Sequence, residues 1–217
     1  MDQDFWHTRW KNNEIGFHCS DVNPHLRRFW GELGLTAGQR VLVPLCGKSE
    51  DLLWLRAQGY GVVGAELSPL AVEQFFLSSE LAVNVRQQGV LQHWISDGIE
   101  IFCGDFFALE PHLLGEIHGL YDRAALVALP PAMRRDYVGK LTRMAPCAEG
   151  LLITLEYPQE RANGPPFSVE GDEVTTLYRP HFAVTERHHQ LSDDVPPKFR
   201  DAGIDSLTER VYRLRSD

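Results

Sequence analysis

The stretch Arg40–Leu67, RVLVPLCGKSEDLLWLRAQGYGVVGAEL, decides the fold. Val41-Leu42-Val43-Pro44-Leu45 is an apolar run too short for a helix and rich in branched residues, which reads as a strand buried on both faces. Gly47 turns the chain. Ser49 is placed to cap a helix whose first turn holds Glu50 and Asp51, both favoured at the positive end of the helix dipole, and whose apolar side is Leu52, Leu53, Leu55 and Ala57. Gly59 ends that helix, Gly61–Ala65 forms a second buried strand, and Glu66 stands at its C-terminal end. Strand, helix and strand in this order make a parallel pair with a right-handed crossover. The Leu45–Gly47 turn and Glu66 then share the sheet edge at which open α/β sheets bind ligands.

Gly47 and Glu66 are about 20 residues apart, the spacing at which a carboxylate after the second strand meets the hydroxyls of a ribose lying across the first turn. A nucleoside-bearing cofactor is therefore expected. The ordinary alternative is an exposed Glu66 capping the next helix, where Ser68 and Pro69 make a start signal. VPLCGKS has one glycine where a dinucleotide fingerprint needs three, and Gly47-Lys48-Ser49 lacks the upstream glycine of a P-loop. A cofactor with a ribose and no pyrophosphate fits better, and S-adenosylmethionine is the common one.

PLCGKS, the strand end VVGAELS, the later DRAALVALPP and the GPPF segment together resemble the thiopurine S-methyltransferase family in its bacterial form, with the motifs in the same order from about Trp6 to Leu214. The resemblance implies a single-domain, Rossmann-like class I S-adenosylmethionine-dependent methyltransferase over residues 1–217. Its α/β fold would have a mostly parallel central sheet with helices on both faces and an antiparallel C-terminal hairpin. Implied too are S-adenosyl-L-methionine as cofactor, S-adenosyl-L-homocysteine as product, and a small thiol or chalcogen compound as acceptor. The acceptors would be aromatic and heterocyclic thiols, with selenium and tellurium species as further candidates. Displacement at a methyl carbon on a positively charged sulfur releases a neutral leaving group, so in-line positioning in a dry cleft does most of the work and no metal is needed. A dense catalytic constellation is accordingly not expected, and no general base is assigned.

Composition agrees with one large α/β domain: 217 residues, 43% hydrophobic, enough for a core without staples. A net charge of -9 argues against nucleic acid or an anionic membrane as partner. Cys19, Cys46, Cys103 and Cys147 are widely spread with no CxxC pair, so neither a disulfide framework nor a zinc site is expected. The start, MDQDFWHTRW, lacks the pattern of a signal peptide, and no apolar run approaches the roughly 18 residues of a membrane span. A cytoplasmic monomer is the expectation.

Residues 1–24 stand outside the strand and helix alternation, with Phe5, Trp6, Trp10 and Phe17 as aromatic anchors; Trp6 and Trp10 share a helical face. The stripe by itself reads as a helix docked on the core. The polar turn Trp10–His18 has the composition of a lid over a flat ligand. The resemblance implies that this segment covers the cofactor, with Trp10 against it and Phe17 near the acceptor. His25–Leu33 reads as a structural helix buried through Leu26, Phe29, Trp30 and Leu33.

Farther on, Pro69–Leu81 reads as a helix, Val85–Leu91 as irregular, and His93–Cys103 as a hairpin about Asp97-Gly98, whose residues supply positive φ. Its second strand would set Gly104, Asp105 and Phe106 on the ligand edge. The resemblance puts Asp105 and Phe106 beside the adenine, one accepting from the amino group and one stacking; the plain alternative is that Asp105 caps a short helix. Leu120–Leu126 reads as a strand carrying Arg123 into the cleft, where so apolar a setting calls for an anionic partner. That partner is either Asp122 or Asp105 in a structural pair, or the cofactor carboxylate or an acceptor sulfur, which Arg123 would stabilise electrostatically. Pro131 opens a helix with Met133, Tyr137, Leu141 and Met144 in the core. The strand Gly150–Tyr157 leads into a loop, Pro158–Val169, whose GPPF offers Phe167 as an acceptor wall or is a plain surface crossover. Phe182–Gln190 and Ser206–Arg215 read as the final hairpin. His188 and His189 point to opposite faces and are structural, and Lys198 is left without a role.

Overall fold

In the computed structural model, which describes residues 3–216, β1 (Arg40–Pro44) and β2 (Gly61–Glu66) pair in parallel with Val41 opposite Val62 and Pro44 opposite Ala65. The first two residues of the expected lid segment, Met1 and Asp2, and the C-terminal Asp217 lie outside the described residues. Between the strands, α3 (Glu50–Ala57) starts at Ser49, whose hydroxyl accepts the Asp51 N–H at 3.2 Å, and it buries Leu52 and Leu55. Its forerunners are α1 (Gln3–Lys11) and α2 (Pro24–Phe29), the latter continuing as a 3-10 turn, Trp30–Leu33.

The further strands are β3 (Asn84–Gln88), β4 (Leu91–Ser96), β5 (Ile99–Cys103), β6 (Gly119–Arg123), β7 (Glu149–Glu156), β8 (Ala183–Ser192) and β9 (Leu207–Arg215). Among the described residues they join one nine-stranded sheet in the order β3-β4-β5-β2-β1-β6-β7-β9-β8. The five central strands, β5, β2, β1, β6 and β7, are parallel; β3 and β4 add antiparallel pairs at one edge, β9 and β8 at the other. Neighbouring side chains on a strand face opposite ways, so Val41 and Val43 enter one core and Leu42 the other. Covering the first face are α2, α3 and α4 (Pro69–Ser78), through Leu26, Phe29, Leu55, Val72 and Phe75. The second face is covered by α5 (Pro131–Met144) and α6 (Gly171–Tyr178), through Tyr137, Leu141, Val174 and Tyr178. Each such aliphatic or aromatic side chain contributes about 1.5–3 kcal/mol by leaving water. A third cluster, with Tyr157, Val195, Phe199 and Leu207, seats α7 (Pro197–Arg200) under the loop that follows β7.

Three expectations change. Of Val85–Leu91, read as irregular, residues 85–88 belong to β3, an edge strand exposed along its whole length, and Leu91 opens β4; with both faces in water β3 has no apolar alternation to betray it. At the Asp97-Gly98 turn only Gly98 takes positive φ, +74°. Helix α4 stops at Ser78 rather than Leu81, its C-terminal carbonyls taken by the Ser79 backbone N–H and hydroxyl.

Candidate active site

The C-terminal ends of β1, β2, β5 and β6 converge on one edge, and the backbone is unusual there. Leu45, just past β1, has φ +46° and Ala124, just past β6, has φ +63°, a region that side chains with a Cβ avoid at a cost of about 1–2 kcal/mol. Gly104, just past β5, donates its N–H to the Glu66 carbonyl at 2.8 Å. Strained turns at the ends of β1 and β6 mark the edge as more than a set of connections.

Glu66 is 6% exposed, not the solvated carboxylate of the ordinary alternative. Oε2 accepts the Gly47 N–H and Oε1 the Ser68 N–H, each at 2.8 Å. Burial raises its pKa, with the backbone N–H groups opposing the change. Gly47 has φ +56°, and a Cβ there would meet the Trp10 indole at 3.3 Å. A flat ring laid directly on a glycine beside a buried carboxylate fits a nucleoside-bearing cofactor: a carboxylate has about four lone-pair positions, so Glu66 retains acceptor capacity for ribose hydroxyls beyond its backbone bonds.

The N-terminal segment closes over this edge. Trp10 is 4% exposed and Phe17 meets both Trp6 and Trp10 edge-on, with centroids 5.8 and 5.6 Å apart. Gln3 Nε2 donates to Asp105 Oδ2 at 3.2 Å. Arg123 donates from Nη1 to the Phe17 carbonyl at 3.2 Å and from Nη2 to the Cys19 thiol at 3.1 Å, so it is held by the covering segment. The Asp122 and Asp105 pairings considered for it are replaced by these bonds. Asp122 instead takes the Tyr137 hydroxyl at 2.7 Å, the Tyr178 hydroxyl at 3.4 Å and the Leu126 N–H at 3.1 Å.

Asp105 accepts the Phe107 N–H at 2.9 Å and so caps the 3-10 turn Phe106–Ala108, as the plain reading has it, while its second oxygen faces Gln3. The stacking face expected of Phe106 is not presented: the ring is 4% exposed and packs on Tyr137 at 5.2 Å, because the capped turn directs it into the core. Phe167 is half-buried, with its N–H on the Val127 carbonyl and its ring against Gly164. Lys198 donates to the Pro165 carbonyl at 2.7 Å. His188 packs on His25 and Phe29 while His189 bonds Glu186, as structural residues do, and no metal-binding cluster occurs among the described residues.

Two groups escaped the sequence reading. His18 follows Phe17 on the covering segment; burial, then Lys48 and Arg123, lower its pKa, which favours the uncharged imidazole. Cys19 touches Arg123, and nothing in its local sequence signals that contact.

A family model described as thiopurine S-methyltransferase matches residues 1–217. The thiopurine S-methyltransferase of Pseudomonas entomophila is 50% identical over 215 residues, 99% of either chain, and that of Xanthomonas campestris pv. campestris is 47% identical over the whole of both. Among solved structures, Burkholderia thailandensis 1,6-didemethyltoxoflavin-N1-methyltransferase with bound 1,6-didemethyltoxoflavin and S-adenosylhomocysteine has a TM-score of 0.62 at 17% identity, over 99% of this chain and 87% of that one. A TehB-like SAM-dependent methyltransferase from Corynebacterium glutamicum has a TM-score of 0.57 at 13% identity, over 99% and 98%. At these identities the likeness to the solved structures concerns the fold.

Proposed function

Because the chain belongs to the thiopurine S-methyltransferase family over its whole length, we propose that it transfers a methyl group from S-adenosyl-L-methionine to the sulfur of small aromatic or heterocyclic thiols, leaving S-adenosyl-L-homocysteine. The full-length family match carries this reading, and the buried Glu66–Gly47 unit supports it.

When bound, the cofactor supplies an activated methyl group and a neutral leaving group. Glu66 would accept from its ribose hydroxyls, with Leu45 and Gly47 giving the turn on which it lies. Trp10 would close over it and exclude water, which strengthens every charge interaction inside. Asp105 and the backbone at Phe106 would face the adenine. Phe17 and Phe167 would hold the aromatic acceptor, and Arg123 would stabilise its sulfur as a thiolate in line with the methyl carbon. Aromatic thiols and thiones are acidic enough that a nearby positive charge suffices, so proton removal makes little demand on the protein. Selenium and tellurium compounds, whose anions are softer still, are proposed as further acceptors. No described helix is long and apolar enough to cross a membrane, and we take the protein to act as a cytoplasmic monomer on small molecules.

The test is transfer of labelled methyl from S-adenosyl-L-methionine to 6-mercaptopurine, aryl thiols, selenols and inorganic selenium species. Turnover on thiols is the expected result. Binding of S-adenosyl-L-homocysteine without transfer to any acceptor would mean a nucleoside-binding domain, and preferential binding of a reduced nicotinamide dinucleotide would mean an oxidoreductase.

A further inference from the structure

Arg134 of α5 is 1% exposed, and its whole fork is engaged. Nε donates to the Leu129 carbonyl at 3.0 Å, Nη2 to the Ser168 carbonyl at 3.1 Å, and Nη1 pairs with Glu173 Oε2 at 2.5 Å. Its central carbon stands 6.0 Å from the Phe167 ring centroid. The partners come from three places: Leu129 ends the segment that leaves β6 after Arg123, Ser168 follows Phe167 in the loop after β7, and Glu173 is on α6. The Phe167 N–H reaches back to Val127 in that same post-Arg123 segment. Nearby, the Tyr157 hydroxyl donates to the Pro166 carbonyl at 2.7 Å and the Ser168 N–H to Gln159 at 2.8 Å.

A buried guanidinium is a poor way to hold a helix, since apolar side chains of the same volume do as well or better. What the planar fork does, and a lysine or an aliphatic chain does not, is fix several acceptors in one geometry. We propose that Arg134 is a positioning residue for the methyl acceptor. It sets the Phe167 loop at a fixed place relative to Arg123, and so governs which flat acceptors are seated with sulfur in line for transfer. Arg134 acts through Phe167 and Ser168. The inference rests on the methyl-transfer reading above.

The test is steady-state kinetics of the full chain with 6-mercaptopurine and thiophenol, beside the dissociation constant of S-adenosyl-L-homocysteine. Wild-type turnover is measured first, so that a failure of the methyl-transfer reading shows before any variant is compared. Arg134→Lys keeps the charge and loses the fork; the acceptor KM is expected to rise on the order of ten-fold, unequally for the two acceptors, with cofactor affinity held within about two-fold. Combined with Phe167→Ala the effect should be non-additive, because the first change acts through the second residue. Glu173→Ala, on the partly exposed side of the pair, frees one arm and is the second variant should Arg134→Lys not fold. The inference is overturned if, in whichever variant binds the cofactor normally, the acceptor KM stays at the wild-type value, or if Arg134→Lys and Phe167→Ala add independently.

Discussion

Gly47 and Glu66, 19 residues apart in the chain, are joined by a hydrogen bond of 2.8 Å from the glycine N–H to the carboxylate, so the end of β1 and the end of β2 form one rigid unit. The same carboxylate takes the Ser68 N–H that opens α4. One side chain thus fixes the turn, the strand end and the start of a helix, and it does so while buried.

Replacing Glu66 by Gln leaves one oxygen for two buried N–H donors and sets an amide NH2 against the other. The expected loss is about 1–3 kcal/mol of stability, the range for an unsatisfied buried donor. Binding of S-adenosyl-L-homocysteine should weaken by a factor of about ten or more, which is about 1.4 kcal/mol. Denaturant unfolding and calorimetric titration measure the two separately; unchanged cofactor affinity with reduced stability would make Glu66 a structural residue only.

Burial lifts the Asp122 carboxyl from an ordinary 3.8 to about 6, against the pull of Tyr137, Leu126 and Tyr178. A carboxyl whose pKa is raised on folding is protonated in the native state while already ionised in the unfolded one, so the unfolded state binds fewer protons and stability falls as pH rises between the two values. Over about pH 4 to 6 the chain should therefore lose up to about 3 kcal/mol from this group, since a tenfold difference in proton affinity between the two states is worth about 1.36 kcal/mol. Asp122→Asn removes that slope. Unfolding free energies of both proteins across about pH 4 to 7 check it, and parallel pH profiles would count against the assignment.

Trp10 is buried on Gly47 at the sheet edge and against Phe17 of its own segment, and it belongs to none of the domain's core clusters. Truncation to Ala should therefore open the N-terminal segment locally instead of unfolding the domain. We expect hydrogen exchange to quicken across residues 3–20 and cofactor affinity to fall about ten-fold, or about 1.4 kcal/mol, with the main unfolding transition little moved. A large drop in that transition with exchange in residues 3–20 unchanged would show the indole to be a core residue.

The central motif was legible because β1, α3 and β2 each agree with their local signals: branched apolar runs, a Ser cap with acids behind it, and glycines at the breaks. That Glu66 and Gly47 meet was legible from the strand-helix-strand pattern together with their spacing. The stacking ring of Phe106 was not legible because an apolar residue after a strand can turn to the ligand or to the core, and the Asp105-capped turn sends this ring to the core. Strand β3 was invisible because neither of its faces is buried. Arg134 carried a signal that charge obscured: it lies three residues before Tyr137 and seven before Leu141, on the stripe that α5 buries, so its position was apolar though its side chain was not.

Arg123 donates to the Phe17 carbonyl and the Cys19 thiol, and neither partner is an anion. Its hydrogen bonds go to the covering segment, Asp51 and Glu209 attract its charge from outside those bonds, and a thiolate acceptor would give it an anionic partner in direct contact. Arg123→Ala should then slow transfer on the order of 10²-fold, as loss of one preorganised charge contact does elsewhere. Because the charge stabilises ionised sulfur, the loss should be largest for the acceptor with the highest thiol pKa and smallest for one already ionised in water. A series of ring-substituted thiophenols at fixed pH, each assayed with wild type and variant under saturating cofactor, gives the slope of rate against thiol pKa. A steeper dependence in the variant is the expected result, and equal slopes with an equal loss for every acceptor would move Arg123 from the acceptor to the cofactor.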